Sequence, residues 1–122
     1  MKRQYHALSI VAPSATKIAQ SLKTLEIRSW QPEQLPLKNL VIVENQRFLN
    51  NENDEDMGKI VAIVDIESVH AWQQDEFDAA CATYWEAGYW AWVISNVRPI
   101  QNNKDVPAKR KIYRLELELE SF

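Results

Sequence analysis

The chain has 122 residues, a net charge of −3, 46% hydrophobic and 25% charged residues, which is the ordinary balance of a single globular domain spanning residues 1–122. With 2 glycines, 5 prolines and 1 cysteine, the composition excludes collagen-like, linker-like and disulfide-stabilised chains. No apolar run is long enough for a membrane span or a signal-peptide core, so we expect a cytoplasmic protein that makes no membrane contact.

The first part of the chain predicts three strands and one helix. Residues 7–11 are apolar and β-branched and predict a strand, and apolar residues at helical spacing predict a short helix over residues 15–22. Residues 24–30 alternate between apolar and polar, which is typical of a strand with one buried face. Two prolines predict a loop over residues 31–36, and the apolar run at residues 37–43 predicts a buried strand.

The middle of the chain contains an acidic run followed by the strongest strand pattern. Residues 50–56 carry four acids and no base, which predicts a solvated loop. Met57 and Gly58 then predict a turn, and residues 59–69 predict a long strand.

The last part of the chain predicts a helix and two further strands. Apolar residues at helical spacing predict a second short helix over residues 75–85, which Gly88 ends. Residues 89–97 and 111–119 predict the last two strands. About six strands of this length can close into a small barrel, and consecutive strands pair antiparallel by their shortest connections. The predicted fold class is therefore α+β, a small β-barrel of about six strands with two short helices.

The charge is concentrated in a basic segment near the C-terminus. Residues 98–114 contain six bases against a single acid, Asp105, and they lie close to aromatic residues. Cations beside aromatic rings are what phosphate contact and base stacking both require. Two interpretations stay open at this point: a nucleic-acid surface, or a solvated edge of the domain.

Four charged residues interrupt or border apolar strands. Lys23, Glu26 and Arg28 lie on or beside the polar face of one strand, where an arginine fork next to a lysine suits a phosphate or carboxylate. The alternative is a surface salt bridge of little energetic value. Asp65 lies within an apolar strand, and an unpaired buried carboxylate is costly. We expect it either to face solvent or to pair with Lys23 or Arg28 in a cleft, and we predict that all four converge on one pocket.

The tryptophans allow two interpretations, and the other reactive side chains allow one. Trp90 and Trp92 share a strand face, which is either the domain core or a platform for stacking. His70 and Cys81 are interpreted as structural, and no metal-binding spacing is present. We therefore expect neither a metal nor a cofactor.

Three sequence elements together carry a resemblance to a known family. They are KTLEIRSW at residues 23–30, GKIVA at residues 58–62 with an acid later in the same strand, and YWAWVI at residues 89–94 followed by Arg98-Pro99. Over roughly residues 5–118 the chain resembles the ASCH domain (activating signal cointegrator homology). The resemblance implies a PUA-like β-barrel with a cleft between the barrel and its first helix, which binds RNA or a nucleotide-like ligand.

The resemblance also bears on catalysis. Small bacterial members of the family hydrolyse N4-acetylcytidine with a lysine, a threonine and a glutamate, and other members have been proposed to act on RNA as nucleases. Lys23 matches the lysine and Asp65 falls where the acid would be. Glu26 stands at the position of the nucleophilic threonine, while Thr24 matches a second motif threonine. Because a carboxylate attacks an amide poorly and repels an oxyanion, we expect threonine-dependent deacylation to be absent or very slow.

Two functions follow from these residues. In a binding module, Lys23, Arg28 and Arg98 hold phosphate and Trp30 or Trp92 stacks on a base, with Thr24 also in the ligand site. In a hydrolase, the catalytic residues are Lys23, Glu26 and Asp65. The state of Glu26 discriminates between them: a carboxylate locked onto Arg28 favours charge recognition, and a free one near Lys23 favours acid–base chemistry. The expected partner is RNA or a nucleotide-like small molecule, and the oligomeric state is not predicted.

Overall fold

The fold is described from a computed structural model in which residues 2–51, 53–101 and 104–118 are placed. Strands dominate, with one short helix and a 3-10 turn at Gln74–Glu76. In the described part of the chain, no helix is long and apolar enough to cross a membrane. The elements are, in chain order, β1 (Arg3–Val11), α1 (Ser14–Ala19), β2 (Leu25–Arg28), β3 (Leu37–Asn45), β4 (Asp56–Ala71), β5 (Trp90–Pro99), β6 (Asp105–Ala108) and β7 (Ile112–Leu117).

All seven strands belong to one sheet with the order β2-β5-β4-β3-β1-β7, and β6 pairs with the beginning of β4. Strands β1 and β3 are parallel, and the other pairs are antiparallel. The predicted closed barrel of six strands is not found, since the two edge strands β2 and β7 are not paired with each other within the described residues. Consecutive strands β2 and β3 are also unpaired, because β2 adds to the far side of β5.

Each face of the sheet has its own hydrophobic core. One core packs under α1 and includes Ile18 of the helix with Val64, Ile66 and Trp92 of the sheet. The second core, on the opposite face, includes Ile63 together with side chains of β6 and β7. Residue alternation along β4 explains this division, because successive strand residues point to opposite faces. We call these the helix face and the opposite face.

The second predicted helix, at residues 75–85, is wrong. After the 3-10 turn the segment continues as turns, and Cys81 has a positive φ of 52° that interrupts helical geometry. The Ala79 carbonyl bonds outside the segment, since it accepts the N–H groups of Thr24 and Leu25 at 2.9 and 3.2 Å. An apolar pattern at helical spacing is therefore present, but from Ala79 onward a carbonyl that a helix would use is taken by β2 and the residue before it.

The predicted turn at Met57 and Gly58 is also wrong, because both residues lie within β4. A Cβ atom on Gly58 would lie 2.5 Å from the backbone oxygen of Glu44, so the absence of a side chain allows β3 and β4 to approach closely. Gly58 pairs with Val106 of β6, a strand that the sequence analysis missed. The other predicted strands are present with shifted ends, and the predicted end of the last one, at residue 119, lies outside the described residues.

Candidate functional site

A cleft opens where the sheet fails to close. Strand β7 pairs with β1 only as far as Leu8, so residues 9–11 of β1 extend beyond it. On the other side of the opening lies β2, and the Nη2 atom of Arg28 reaches across to donate to the carbonyl of Ser9 at 3.2 Å. The resulting cavity of about 640 Å³ is lined by residues 9–12, 14, 26–30, 45, 47–49 and 109–111. We call this cavity the cleft.

Glu26 forms the centre of a buried charge cluster beside the cleft. Its Oε2 atom accepts hydrogen bonds from Nε and Nη2 of Arg28, at 2.9 and 2.8 Å. Its Oε1 atom lies 3.5 Å from Nζ of Lys23, which also donates to the carbonyl of Ala80 at 2.5 Å. Lys23 lies in the segment between α1 and β2, and Glu26 and Arg28 lie in β2. The fold brings both cations into contact with Glu26. Glu26 is therefore locked between two cations.

Only two members of this cluster face the cleft. Glu26 and Arg28 line it, whereas Lys23 is buried behind them against the 79–82 turn. Arg28 is fixed in place by Glu26 and Ser9 while part of its guanidinium group stays exposed, with 24% of the side chain accessible. A pre-positioned arginine fork suits a planar anionic group such as phosphate or carboxylate.

The rim of the cleft is strongly basic. The predicted basic segment contributes Lys109, Arg110 and Lys111, and the loop after β3 adds Arg47. Glu55 lies 3.7 Å from Lys109 and its backbone carbonyl accepts from Arg47, so the acidic loop holds part of the rim in place. With Arg28, five bases therefore line the cleft, and Glu26, which is already paired, is the one acid among its described lining residues.

Two residues of the cleft were not anticipated from the sequence. Phe48 stands at the rim with 73% of its surface exposed. Asn45 is buried at 1% exposure, and its Oδ1 atom has no hydrogen-bond partner among the described residues. Asn45 ends β3 and Phe48 follows it next to the acidic run, where nothing in the local pattern separates a binding loop from an ordinary solvated loop.

The structure separates the two candidate stacking residues. Trp92 is fully buried in the helix-face core, so the predicted stacking role of Trp92 is wrong and the core interpretation holds. Its indole packs edge-on against Trp30 with centroids 4.9 Å apart, and its Nε1 donates to the carbonyl of Trp30 at 3.2 Å. Trp30 is only partly buried and lines the cleft. Of these two tryptophans, only Trp30 therefore offers a surface on which a base can stack.

The predicted pairing of Asp65 with Lys23 or Arg28 is wrong. Asp65 pairs across the sheet with Ser95, one residue from the helix-face pair Ile66 and Ile94, and therefore points to the opposite face. Glu26 pairs across the sheet with Trp92, which places its side chain on the helix face. The sheet itself thus separates the two carboxylates, and the four predicted residues do not share one pocket.

Asp65 has its own partners on the opposite face. It accepts from Nη2 of Arg98 at 2.7 Å, from the backbone N–H of Asn39 at 3.0 Å and from the side chain of Asn96 at 3.1 Å. Lys38 lies 3.7 Å away. Arg98 is therefore placed with Asp65 and not with Arg28 at the cleft, so the predicted phosphate seat that included Arg98 is not formed.

These contacts set the charge of Asp65 and its structural role. Burial by itself raises the pKa of the Asp65 carboxyl, but the hydrogen bonds from Asn39 and Asn96 and the charges of Arg98 and Lys38 outweigh it, so the pKa is lowered. Asn39 and Asn96 both have positive φ angles, 57° and 49°, next to irregularities in strand pairing. The carboxylate thus holds two strained strand positions together.

Thr24 is exposed at the surface, outside the set of residues that line the cleft. Its backbone connects two elements, since its N–H donates to Ala79 and its carbonyl accepts from Ile94 at 3.1 Å. Its predicted role in the ligand site stays a prediction. For metals, no group of three or more histidine, cysteine, aspartate or glutamate side chains in residues 2–51, 53–101 and 104–118 is arranged to hold an ion.

Comparison with known proteins identifies the family. The family model of the ASCH domain matches residues 8–104, which is most of the 122-residue chain. The chain belongs to the ASCH-domain family. Among solved structures, this ASCH-domain protein is similar to a mutant of ZmASCH from Zymomonas mobilis, with 15% identity, a TM-score of 0.49 and coverage of 81% of this chain and 74% of that chain. No curated protein sequence matches it.

Proposed function

We propose that this ASCH-domain protein binds RNA or a nucleotide-like ligand in the cleft. The observation that carries the proposal is the composition of the cavity of about 640 Å³: its described lining residues include five bases, one acid that is already paired, and two accessible aromatic rings. That volume is typical of sites for small ligands, which range over about 300–1,000 Å³. A cytoplasmic location, predicted from the sequence, suits this class of ligand.

Each part of a nucleotide has a candidate partner in the cleft. Arg28, held by Glu26, offers its guanidinium group to a phosphate, and the rim bases add positive charge around it. Trp30 and Phe48 offer aromatic faces on which a base can stack. The unpaired Oδ1 atom of Asn45 is an acceptor that suits the exocyclic amine of a base.

The alternative function is a hydrolase acting on a modified nucleoside or on RNA. It requires a general base that is free to take a proton. Glu26 is bonded to Arg28 and lies beside Lys23, and the ammonium group of Lys23 donates to a backbone carbonyl. Neither group is poised as a free base, and Asp65 lies on the opposite face of the sheet. The geometry therefore supports recognition of charge over hydrolysis.

A binding titration with a matched control tests the proposal. Uridine, uridine 5′-monophosphate and a labelled hexauridylate are titrated against the wild type, Arg110→Gln and Arg3→Gln. Arg110 lines the cleft, whereas Arg3 is exposed on β1 and lies outside it, so the two substitutions remove the same charge at different places. We expect Arg110→Gln to weaken hexauridylate binding roughly 10- to 100-fold, because a hydrogen bond to a charged group contributes roughly 1.5–3 kcal/mol.

The salt dependence and the products complete the test. We expect log K against log salt to have a slope of roughly −2 to −4 for the wild type, since about three to five bases reach one ligand, and a shallower slope for Arg110→Gln. Equal effects of Arg110→Gln and Arg3→Gln, or no binding at 50 mM salt, would refute the proposal. Chromatography of the same samples and of N4-acetylcytidine incubations then examines hydrolysis: cleaved RNA or released cytidine, lost in Lys23→Ala, would favour the alternative.

A further inference from the structure

A second cavity lies next to the cleft and has no role in the function proposed above. It has a volume of about 550 Å³ and is lined by β7, the start of β1 and the loop between β2 and β3. We call it the side cavity. The residues that matter for its chemistry are His6, Trp30, Glu33, Lys111, Tyr113 and Arg114.

The side cavity and the cleft share a wall of side chains. Trp30 and Lys111 line both cavities, and the Nζ atom of Lys111 lies 5.7 Å from the centre of the Trp30 ring. Ser9 of the cleft and Tyr113 of the side cavity are joined by a hydrogen bond of 2.7 Å between their hydroxyl groups. The two cavities are therefore adjacent and separated by one layer of residues.

The shared wall is formed by a fixed indole ring, Trp30, and an exposed cation, Lys111. Trp92 packs edge-on against Trp30 and donates to its carbonyl, which fixes the indole ring. Tyr113 packs against the core of the opposite face, whereas Trp30 packs against the helix-face core. The Tyr113 hydroxyl donates to the carbonyl of Pro107 at 3.0 Å and accepts from Ser9, so it lies behind this wall and does not form its surface. Burial raises the pKa of Tyr113 by more than its hydrogen bonds lower it, so the phenol keeps its proton at neutral pH. Lys111 is exposed and supplies a cation beside the aromatic ring.

The side cavity also carries charge that suits an anion. His6 and Arg114 are directly paired across β1 and β7, so their side chains lie next to each other on one face. Arg114 and Lys111 provide two positive charges, and Glu33 is the one acid among the described residues that line the side cavity. The phosphates of a nucleic acid are anions that two adjacent basic cavities would attract.

We infer that the side cavity is a second nucleotide site, so that the ligand is an oligonucleotide of at least two residues whose backbone crosses the wall formed by Trp30 and Lys111. This inference rests on the proposed function, because it extends the cleft into a continuous track. Single-strand binding proteins combine a basic groove with aromatic side chains between successive bases in the same manner. A mononucleotide would occupy the cleft alone.

The test compares the affinities of uridine 5′-monophosphate and the dinucleotide pUpU for the wild type, Arg114→Gln and Arg3→Gln. Arg114 and Arg3 are both exposed on the paired strands β7 and β1, but only Arg114 lines the side cavity. We expect the wild type to bind pUpU at least tenfold more tightly than the monophosphate. Arg114→Gln should remove most of that gain and leave the monophosphate affinity unchanged, and Arg3→Gln should change neither. Equal melting temperatures establish that the variants are folded.

The outcomes separate the two proposals. If the monophosphate binds but pUpU binds no more tightly, the second site is refuted while the proposed function stands. If Arg114→Gln weakens both ligands equally, the side cavity does not act as a separate site, and the inference is also refuted. If neither ligand binds, the proposed function and this inference fail together.

Discussion

Replacing Asp65 by asparagine distinguishes a structural carboxylate from a catalytic one. The carboxylate accepts from Arg98, Asn39 and Asn96 on the face of the sheet away from the cleft. Asparagine keeps the shape and one acceptor oxygen, but it loses the charge and places an amide N–H₂ group against other donors. We expect Asp65→Asn to fold with reduced stability and to bind uridine dinucleotide with the affinity of the wild type.

The magnitude follows from the partners that are lost. Removing one partner of a buried ion pair costs about 3–5 kcal/mol, and the retained acceptor reduces this to about 3 kcal/mol. For a domain of this size that is a fall of roughly 10 °C in melting temperature. The matched control is Asp105→Asn: Asp105 is exposed and lies 2.8 Å from Lys59, and an exposed pair of this kind contributes about 0.2–1 kcal/mol.

The pH dependence gives a second readout. Because the pKa of Asp65 is lowered in the folded state, its contribution to stability is complete above the ordinary aspartate pKa of about 3.9 and is lost as the pH falls through the lowered value. In urea unfolding experiments, the difference in the free energy of unfolding between the wild type and Asp65→Asn should therefore be constant from pH 7 to pH 5. At lower pH this difference should become smaller. The reasoning is refuted if Asp65→Asn is as stable as Asp105→Asn at pH 7, or if the folded variant loses ligand affinity.

Three further substitutions test the fold around the cleft, each by urea unfolding. Gly58→Ala should destabilise by about 1–3 kcal/mol, because the new Cβ meets the backbone oxygen of Glu44 at 2.5 Å, and an unchanged midpoint would contradict that close approach. Glu44→Ala should lower the free energy of unfolding by about 1–2 kcal/mol. The Glu44 carboxylate accepts from both the N–H and the hydroxyl of Thr16 at the start of α1, at 2.9 and 2.6 Å. A smaller loss of stability than in Thr16→Ala would argue against this role of Glu44. Lys23→Met should lower the free energy of unfolding by about 1–3 kcal/mol. It should also speed hydrogen exchange of the Thr24 and Leu25 amides, because their N–H groups bond the same turn that Lys23 bonds. Unchanged exchange would show that Lys23 does not hold that turn.

The strands were predictable because alternation is a local property. Residues 24–30 alternate clearly and residues 59–69 form the strongest apolar strand pattern, and β2 and β4 are found within or around those ranges. Alternation also puts Asp65 on the side of Ile63 and opposite Ile66, and the structure places Ile63 and Ile66 in separate cores. The local pattern does not say which face of β4 meets which face of β2. That depends on β5 lying between them, a contact between residues distant in sequence.

The missed elements share a physical cause, which is that distant groups override the local pattern. The 75–85 segment has helical spacing, yet its Ala79 carbonyl bonds the start of β2 and its Ala80 carbonyl bonds Lys23. Strand β6 contains Pro107 and only four residues, so it carries little strand signal of its own and forms by pairing with β4. The cleft residues Asn45 and Phe48 likewise depend on where the loop after β3 meets residues 109–111.

The two buried carboxylates, Glu26 and Asp65, make the same kind of ion pair with an arginine, but the two pairs have different roles. Glu26 and Asp65 each fix an arginine, but Arg28 faces the cleft whereas Arg98 joins two strand irregularities. Because Glu26 already neutralises much of the charge on Arg28, a phosphate in the cleft gains orientation from that guanidinium group more than long-range attraction. The attraction then has to come from residues 109–111 and Arg47, whose charges are closer to solvent. On this reasoning the rim determines the salt dependence of binding, and Arg28 determines the geometry of the bound phosphate.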